Sequence, residues 1–161
     1  MKLQNYIKGK FEEPESAEWM DNLSPSTGEV IGSVPLSGES DVKLAVGAAR
    51  EALPEWSGMN PSDRADWLER IADCLEEKFE EIAYLESLDT GKPISLARSV
   101  DATRSVSNFR FFSEMIRDLE DEIYEMEDAT NIVKLRAVGV GALITPWNLP
   151  LYLLSWKLSL I

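Results

Sequence analysis

The chain has 161 residues, of which 44% are hydrophobic and 28% charged, a composition typical of a globular protein of about one domain. Its 16 basic and 29 acidic residues give a net charge of −13, which disfavours nucleic-acid binding because phosphates are repelled. The absence of histidine excludes Ser-His-Asp and Cys-His catalysis and every His-ligated metal site. The single cysteine, Cys74, cannot form an intrachain disulfide, which favours a reducing, cytoplasmic setting.

The first part of the chain is expected to begin with short strands and a helix. Turn chemistry at Lys8-Gly9 predicts a hairpin, and a strand is expected around Val30 to Val34. Ser40 is expected to cap the first helix, and Pro54 is expected to stop it. One buried face of that helix is predicted from the helical spacing of Val42, Ala45, Val46, Ala49 and Leu53.

A second helix is expected to begin with Asn60 as its N-cap and Pro61 at its first position, and to run to about Leu88. Cys74 lies beside its apolar stripe. Because no histidine or helix N-terminus would stabilise a thiolate there, Cys74 is interpreted as a semi-buried packing residue rather than a nucleophile. The stripe comprises Leu68, Ile71, Ala72, Leu75, Phe79 and Ile82.

A third helix is predicted from Ser95 to about Leu119, and its aromatic cluster FRFF is interpreted as core rather than as a binding platform. The acidic stretch 114–128 is expected to be a solvated surface. Beyond it, Ile132 to Arg136 has the alternation of a half-exposed strand, and Val138 to Ile144 is a continuous apolar run typical of a strand covered on both faces. Together these elements indicate an α/β protein.

Residues 137–156 contain no charge and are long enough to span a bilayer as a helix. Pro146 and Pro150 lie inside this window and would leave backbone groups that lipid cannot satisfy. A buried strand, a turn and a helix beginning at Pro150 are therefore preferred to a membrane span. The charged N-terminus lacks the apolar region of a signal peptide.

The turn Thr145-Pro146-Trp147-Asn148 is the candidate site, because open α/β sheets bind ligands where strands end. Two roles remain open for the Asn148 side chain: it could cap the following helix, or it could donate a hydrogen bond to a developing oxyanion. On physical grounds alone the capping role is preferred. Trp147 could line a ligand pocket or belong to the core.

Six collinear segments resemble the N-terminal part of the aldehyde dehydrogenase superfamily. Within it, RSVSNFRFFS and PWNLPLYLLSWK are most similar to the branch that oxidises 2-aminomuconic and hydroxymuconic semialdehydes. The six segments are YIKGKF, SPSTGEVIGSVP, DVKLAVGAAREALPEW, RADWLERIADCLEE, LESLDTGKPI and VGVGALITPWNLPLYLLSWK.

The resemblance implies a role for each residue of the turn. Ile144, Thr145, Pro146 and Trp147 would contact NAD or NADP, largely through the backbone, and Asn148 would donate its amide to the oxyanion, which reverses the preference for a cap. It also implies three parts: residues 1–118 as the N-terminal helical part of the cofactor-binding domain, 119–137 as an oligomerisation hairpin, and 138–161 as the first strand, turn and truncated helix of the NAD-binding sheet.

The family pattern is incomplete in this sequence. Ala137 stands where the family usually has proline, and the segments that carry the nucleophilic cysteine, the general-base glutamate and the adenosine-ribose lysine are absent. The chain is therefore expected to be a truncated aldehyde dehydrogenase polypeptide that is silent by itself. The resemblance implies an aldehyde as the substrate of the full-length family, and a homo-oligomer or a downstream partner chain as the assembly of this one.

The alternatives are an interaction module that pairs with full-length subunits through residues 120–136, and a small membrane-anchored protein. Because the apolar strand Val138 to Ile144 would lack neighbours, the isolated chain is expected to be marginally stable and dimeric or larger.

Overall fold

The computed structural model describes residues 1–160, in which short hairpins precede and follow a set of packed helices. The first hairpin pairs β1 (Asn5–Ile7) with β2 (Lys10–Glu12). Lys8 and Gly9 form its turn with φ of 53° and 78°, which is the left-handed backbone that a two-residue hairpin turn requires. The turn predicted at these two residues is confirmed.

The second hairpin pairs β3 (Trp19–Leu23) with β4 (Val30–Pro35) in antiparallel register, with an irregularity at Asn22 and Leu23. The backbone N–H of Leu3 donates to the carbonyl of Ser33 over 2.9 Å. The N-terminal segment therefore lies along β4, and the strand predicted around Val30 to Val34 is present.

Helix α1 (Glu39–Gly58) differs from the sequence prediction at both ends. Its N-cap is Gly38 rather than Ser40, and the buried carboxylate of Asp41 accepts the Gly38 N–H over 2.8 Å. Pro54 lies inside the helix and does not stop it, because its ring fixes φ at about −65°, a value that helical backbone also adopts. The predicted apolar face is not buried: Val42, Ala45 and Ala49 are exposed within the described residues.

The predicted second helix is two helices, α2 (Pro61–Glu77) and α3 (Phe79–Thr90), which meet at Lys78. The predicted cap is confirmed, because the Asn60 side chain accepts the Asp63 N–H over 2.8 Å. Gly91 ends α3 with φ of 75°, in the left-handed conformation that glycine adopts easily. Cys74 is exposed on α2, so its predicted semi-buried position is wrong.

The third predicted helix is continuous in the chain but changes its winding. It comprises a short α-helical turn α4 (Ile94–Leu96), a π-helical segment (Ala97–Ala102) and α5 (Thr103–Arg117). Helices α2 and α5 pack against each other around the buried side chains of Leu68, Ala72, Val106, Phe109 and Phe112. A second cluster, between α3 and the π-helical segment, is formed by Ala83, Ala97 and Ala102.

Two features follow α5. A third hairpin pairs β5 (Glu122–Glu125) with β6 (Thr130–Val133), and every residue of both strands is exposed, so the strand predicted from Ile132 to Arg136 is shorter and more exposed than expected. Helix α6 (Pro150–Leu158) begins at the predicted residue.

The strand predicted from Val138 to Ile144 is not formed. Residues 134–149 make no β-ladder within the described part of the chain, and Val138 is fully exposed rather than covered on both faces. A strand exists only where another strand accepts and donates its backbone hydrogen bonds, and residues 1–160 supply none here. Among these residues there is also no helix long and apolar enough to cross a membrane.

The packing of α2 on α5 yields a direct test. Phe109→Ala removes a ring that is 3% exposed, and we expect it to lower the free energy of unfolding by about 3–5 kcal/mol. Phe111, two residues away, is 56% exposed, so Phe111→Ala is the matched control and should cost less than about 1 kcal/mol. Urea unfolding of the 161-residue chain measures both, and equal costs would contradict the assignment of the aromatic cluster to the core.

Candidate functional site

The candidate site is the turn of residues 144–148, which joins the extended segment 134–143 to α6. Ile144 and Trp147 expose most of their side chains, 82% and 88%, whereas Thr145 and Pro146 are half-buried. Trp147 therefore does not belong to the core of the described chain. The turn presents an apolar edge to solvent immediately before a helix.

Asn148 does not cap α6. The N-cap is Leu149, and it provides no side-chain cap hydrogen bond. The Asn148 side chain is exposed and has no hydrogen-bond partner among residues 1–160, so its amide is uncommitted. Of the two roles left open by the sequence, the structure excludes helix capping. It leaves the side-chain amide of Asn148 available to a ligand.

The backbone of this turn is anchored by a buried lysine. The Lys92 ammonium donates to the Asn148 carbonyl oxygen over 2.9 Å and to Asp101 Oδ1 over 2.7 Å. It also lies 3.6 Å from Glu86 Oε2. These contacts join the end of α3, the π-helical segment and the candidate turn at one point.

Glu86 anchors the first turn of α6. Its Oε1 accepts the backbone N–H of Leu151 over 3.1 Å, and Leu151 is the second residue of the helix. The first helical residue is Pro150, which has no N–H to satisfy. A carboxylate from α3 thus satisfies the helix N-terminus and interacts favourably with its dipole.

The three charged side chains lie in a poorly solvated region. Asp101 is 0% exposed and Glu86 is 8% exposed. Burial raises the pKa of Glu86 above its usual range, and the Leu151 N–H and the Lys92 ammonium offset only part of that rise. One cation therefore faces two carboxylates away from water, and the second oxygen of each has no hydrogen bond in the described structure.

Helix α6 is held along its length by α5 and by its own C-terminal lysine. The buried Asn108 side chain donates to Ser155 Oγ over 2.9 Å, and the rings of Phe112 and Trp156 meet edge to face at 5.7 Å. Lys157 donates to the carbonyl oxygen of Ile144. Both ends of the candidate turn are consequently fixed, Ile144 by Lys157 and Asn148 by Lys92.

The described residues of the turn offer groups that can bind a ligand, but neither a metal site nor a thiol. Within residues 1–160 no cluster of three or more acidic or thiol groups could hold a metal ion. Cys74 lies on α2 and contributes nothing to the turn. A groove of about 720 Å³ runs beside α1 and the extended segment, but no residue of the turn lines it. The site can donate a hydrogen bond and offer an apolar edge.

Comparison with known proteins defines the family. The aldehyde dehydrogenase family model matches residues 11–160. The chain is 47% identical to bovine 2-aminomuconic semialdehyde dehydrogenase and 38% identical to 2-hydroxymuconic semialdehyde dehydrogenase of Pseudomonas sp. strain CF600. Each alignment covers 98% of this chain, and the two cover 32% and 34% of the respective relatives. The chain belongs to the aldehyde dehydrogenase family and spans about a third of the length of these curated relatives.

Solved structures show the same relation. PnpE from Pseudomonas sp. WBC-3 matches with a TM-score of 0.93 at 38% identity, covering 99% of this chain and 33% of PnpE, and the same match holds for its complex with nicotinamide adenine dinucleotide. The aldehyde dehydrogenase KauB from Pseudomonas aeruginosa matches with a TM-score of 0.93 at 36% identity, covering 98% and 32%. The fold is the N-terminal part of an aldehyde dehydrogenase, as expected from the sequence.

Sequence reasoning did not find Glu86, Lys92 or Asp101. Glu86 and Lys92 lie within the segment LESLDTGKPI and Asp101 in the helical segment that follows, where isolated charged residues are usually solvated. Only the three-dimensional proximity of Lys92 to Asn148, 56 residues later, reveals their common position.

The raised pKa of Glu86 gives a pH dependence of stability. The folded state holds the proton more tightly than the unfolded state, so stability should fall as the pH rises from about 4.5 through the raised folded pKa. Glu86→Gln keeps an oxygen for the Leu151 N–H and removes the titration. Its free energy of unfolding relative to wild type should therefore increase with pH across this window.

Denaturation at a series of pH values measures this difference. Glu77→Gln, an exposed substitution on α2, serves as the control and should follow the wild-type profile. A Glu86→Gln profile parallel to wild type would show that burial does not control this carboxyl group.

Proposed function

We propose that the chain supplies the N-terminal third of an NAD(P)-dependent aldehyde dehydrogenase, in which Asn148 stabilises the oxyanion formed when a thiolate attacks the aldehyde. The observation that carries the proposal is the uncommitted Asn148 amide on a turn whose backbone is anchored at both ends. A fixed amide aimed at a developing alkoxide stabilises the transition state because it needs no reorganisation during reaction.

The same turn is proposed to contact the cofactor. Ile144 and Trp147 form an exposed apolar edge, and Thr145 and Pro146 contribute adjoining backbone, so the residues present suit one side of a planar nicotinamide. The cofactor, NAD or NADP, supplies the hydride acceptor when it is bound. The residues of this chain would place it beside Asn148. PnpE, which matches over 99% of this chain, has been solved with nicotinamide adenine dinucleotide.

Residues 1–161 are proposed to be inactive without further polypeptide. Covalent aldehyde oxidation needs a nucleophile and a base that activates water for release of the acyl group. Cys74 is the only cysteine, and it lies on α2 rather than at the turn. A downstream polypeptide of the same family would provide the missing groups. The aldehyde is proposed to be a semialdehyde, as in the names of the muconic relatives, and the setting cytoplasmic.

The test is NADH or NADPH formation from a panel of simple aldehydes and 2-hydroxymuconic semialdehyde. The chain is assayed alone and after co-expression with the downstream part of the bovine relative. We expect no turnover by the chain alone and turnover by the combination. Activity of the chain alone would contradict the proposal and would require Cys74 as the nucleophile, which Cys74→Ser would then test.

Substitution of Asn148 tests its role within the active combination. Asn148→Ala should lower kcat by about 10²- to 10³-fold, because one oxyanion donor is lost, and should leave KM for NAD within about 2-fold. Gln4→Ala removes an exposed amide in the N-terminal segment and is the matched control, with no expected change. An unchanged kcat in the Asn148→Ala enzyme would show that Asn148 does not stabilise the oxyanion.

The hairpin β5–β6 supports a second candidate function, self-association. The cross-strand pair Ile123 and Ile132 exposes more than half of each side chain, on a two-stranded sheet whose outer edges are unpaired in the described structure. A second copy of the chain could cover this face and pair with an edge. By this interpretation the chain is a non-catalytic interaction module whose hairpin pairs with a second copy or with the same hairpin of full-length subunits.

A charge on that face should prevent association. Ile132→Lys is expected to shift the chain toward the monomer, as measured by light scattering after size exclusion. Asn131→Lys adds the same charge on the opposite face of β6 and should leave the oligomer unchanged. Equal behaviour of both variants would place the contact elsewhere.

A further inference from the structure

The clearest structural device outside the turn itself is the buried group formed by Lys92, Glu86 and Asp101, here called the anchor triad. The Lys92 side chain is 10% exposed and its ammonium reaches three elements, with donor contacts of 2.7 Å to Asp101 and 2.9 Å to the Asn148 carbonyl. A partly buried ammonium interacts more strongly than a solvated one because water does not compete for it.

We propose that the anchor triad is the positioning device of the Asn148 turn, with Lys92 as the residue that fixes the Asn148 backbone and thereby aims its side-chain amide. The inference rests on the proposed function in so far as the amide is the oxyanion donor. None of the three residues is proposed to touch substrate or cofactor.

The first argument is the division of hydrogen bonds at Asn148. Its side chain has no hydrogen-bond partner among residues 1–160, so the side chain itself does not restrict the residue. Its carbonyl oxygen is held by Lys92, and the Leu151 N–H three residues later is held by Glu86. Both of these contacts lie on the C-terminal side of the Asn148 Cα, and Lys157 holds the carbonyl oxygen of Ile144 on the N-terminal side. The backbone is thus fixed before and after the side chain that must remain free.

The second argument is the placement of the two carboxylates. Asp101 lies in the π-helical segment, completely buried, and Glu86 lies at the end of α3. Both face Lys92, so the ammonium is oriented from two directions. Pi-helical segments are uncommon and often occur near functional sites, which fits a winding that directs Asp101 inward.

Hydrogen exchange of the 161-residue chain tests the positioning without any activity. Lys92→Met removes the ammonium while keeping a long apolar side chain. We expect exchange of the backbone amides in 145–155 to accelerate by about 10-fold or more, with little change in α2 and α5. The matched control is Lys78→Met, which removes an exposed lysine whose ion pair among residues 1–160 is with Glu81. Unchanged exchange in 145–155 would overturn the proposal.

If Lys92→Met loses protection from exchange throughout the chain, the variant is unfolded and Asp101→Asn decides instead. It keeps an oxygen at the same position and removes one charge, so it should accelerate exchange in 145–155 selectively. Global acceleration by this variant as well, or none in 145–155, would show that the triad acts on the whole fold or not at all, and either result would overturn the proposal.

A double-mutant cycle in the active combination separates positioning from general stability. Lys92→Met should lower kcat by about 10- to 100-fold, because a small displacement of a reacting group costs this much, with KM for the aldehyde within about 2-fold. On the Asn148→Ala background the same substitution should cost less than about 2-fold, because the aimed group is already absent. Equal costs on both backgrounds would overturn the positioning role.

The activity assay tests the proposed function and the exchange experiment tests the positioning role, so a failure of one is distinguishable from a failure of the other. If no combination oxidises an aldehyde, the proposed function fails while the exchange experiment still decides whether the triad fixes the turn. If activity is present but exchange in 145–155 does not respond to Lys92→Met, the proposed function stands and the positioning role is overturned.

Discussion

The described structure depends most directly on one buried ammonium. Lys92 joins the end of α3, the π-helical segment and the turn before α6, and its contact with Asn148 spans 56 residues of sequence. A single cation between two carboxylates is costly to bury unless its hydrogen bonds are satisfied, and removal of one partner leaves an uncompensated charge. This interaction makes the position of the turn a consequence of the helical packing rather than of the turn sequence.

The helical packing is itself uneven. The face between α2 and α5 is closed by aromatic rings, whereas α1 and the segment 134–149 leave large apolar side chains such as Val42 and Val138 in solvent. The groove of about 720 Å³ lies between these two uncovered regions. Exposed apolar surface of this kind favours association with further polypeptide.

Structural features that depend on neighbouring residues were predicted well, whereas features that depend on residues distant in sequence were not. The turn at Lys8-Gly9 and the Asn60 cap depend on neighbouring residues alone, and both are confirmed. The strand predicted from Val138 to Ile144 failed because an apolar run specifies burial but cannot supply a partner strand. Gly38 replaced Ser40 as the cap because the Asp41 carboxylate accepts the Gly38 N–H and also the Glu15 N–H, a contact across 26 residues.

Asn148 shows how a distant contact changes the meaning of a local pattern. An asparagine before a helix normally accepts the N–H of the second or third helical residue, and on that rule Asn148 resembled a cap. In the folded chain Glu86 accepts the N–H of the second residue, Leu151, and Pro150 presents no N–H at the first. Glu86 of α3 therefore accepts this N–H in place of the Asn148 side chain. Burial raises the pKa of Glu86, and the Leu151 N–H that it accepts offsets part of that rise. The fold thus keeps a carboxylate buried at the start of α6, and the side chain left free at Asn148 is the one that the proposed chemistry requires.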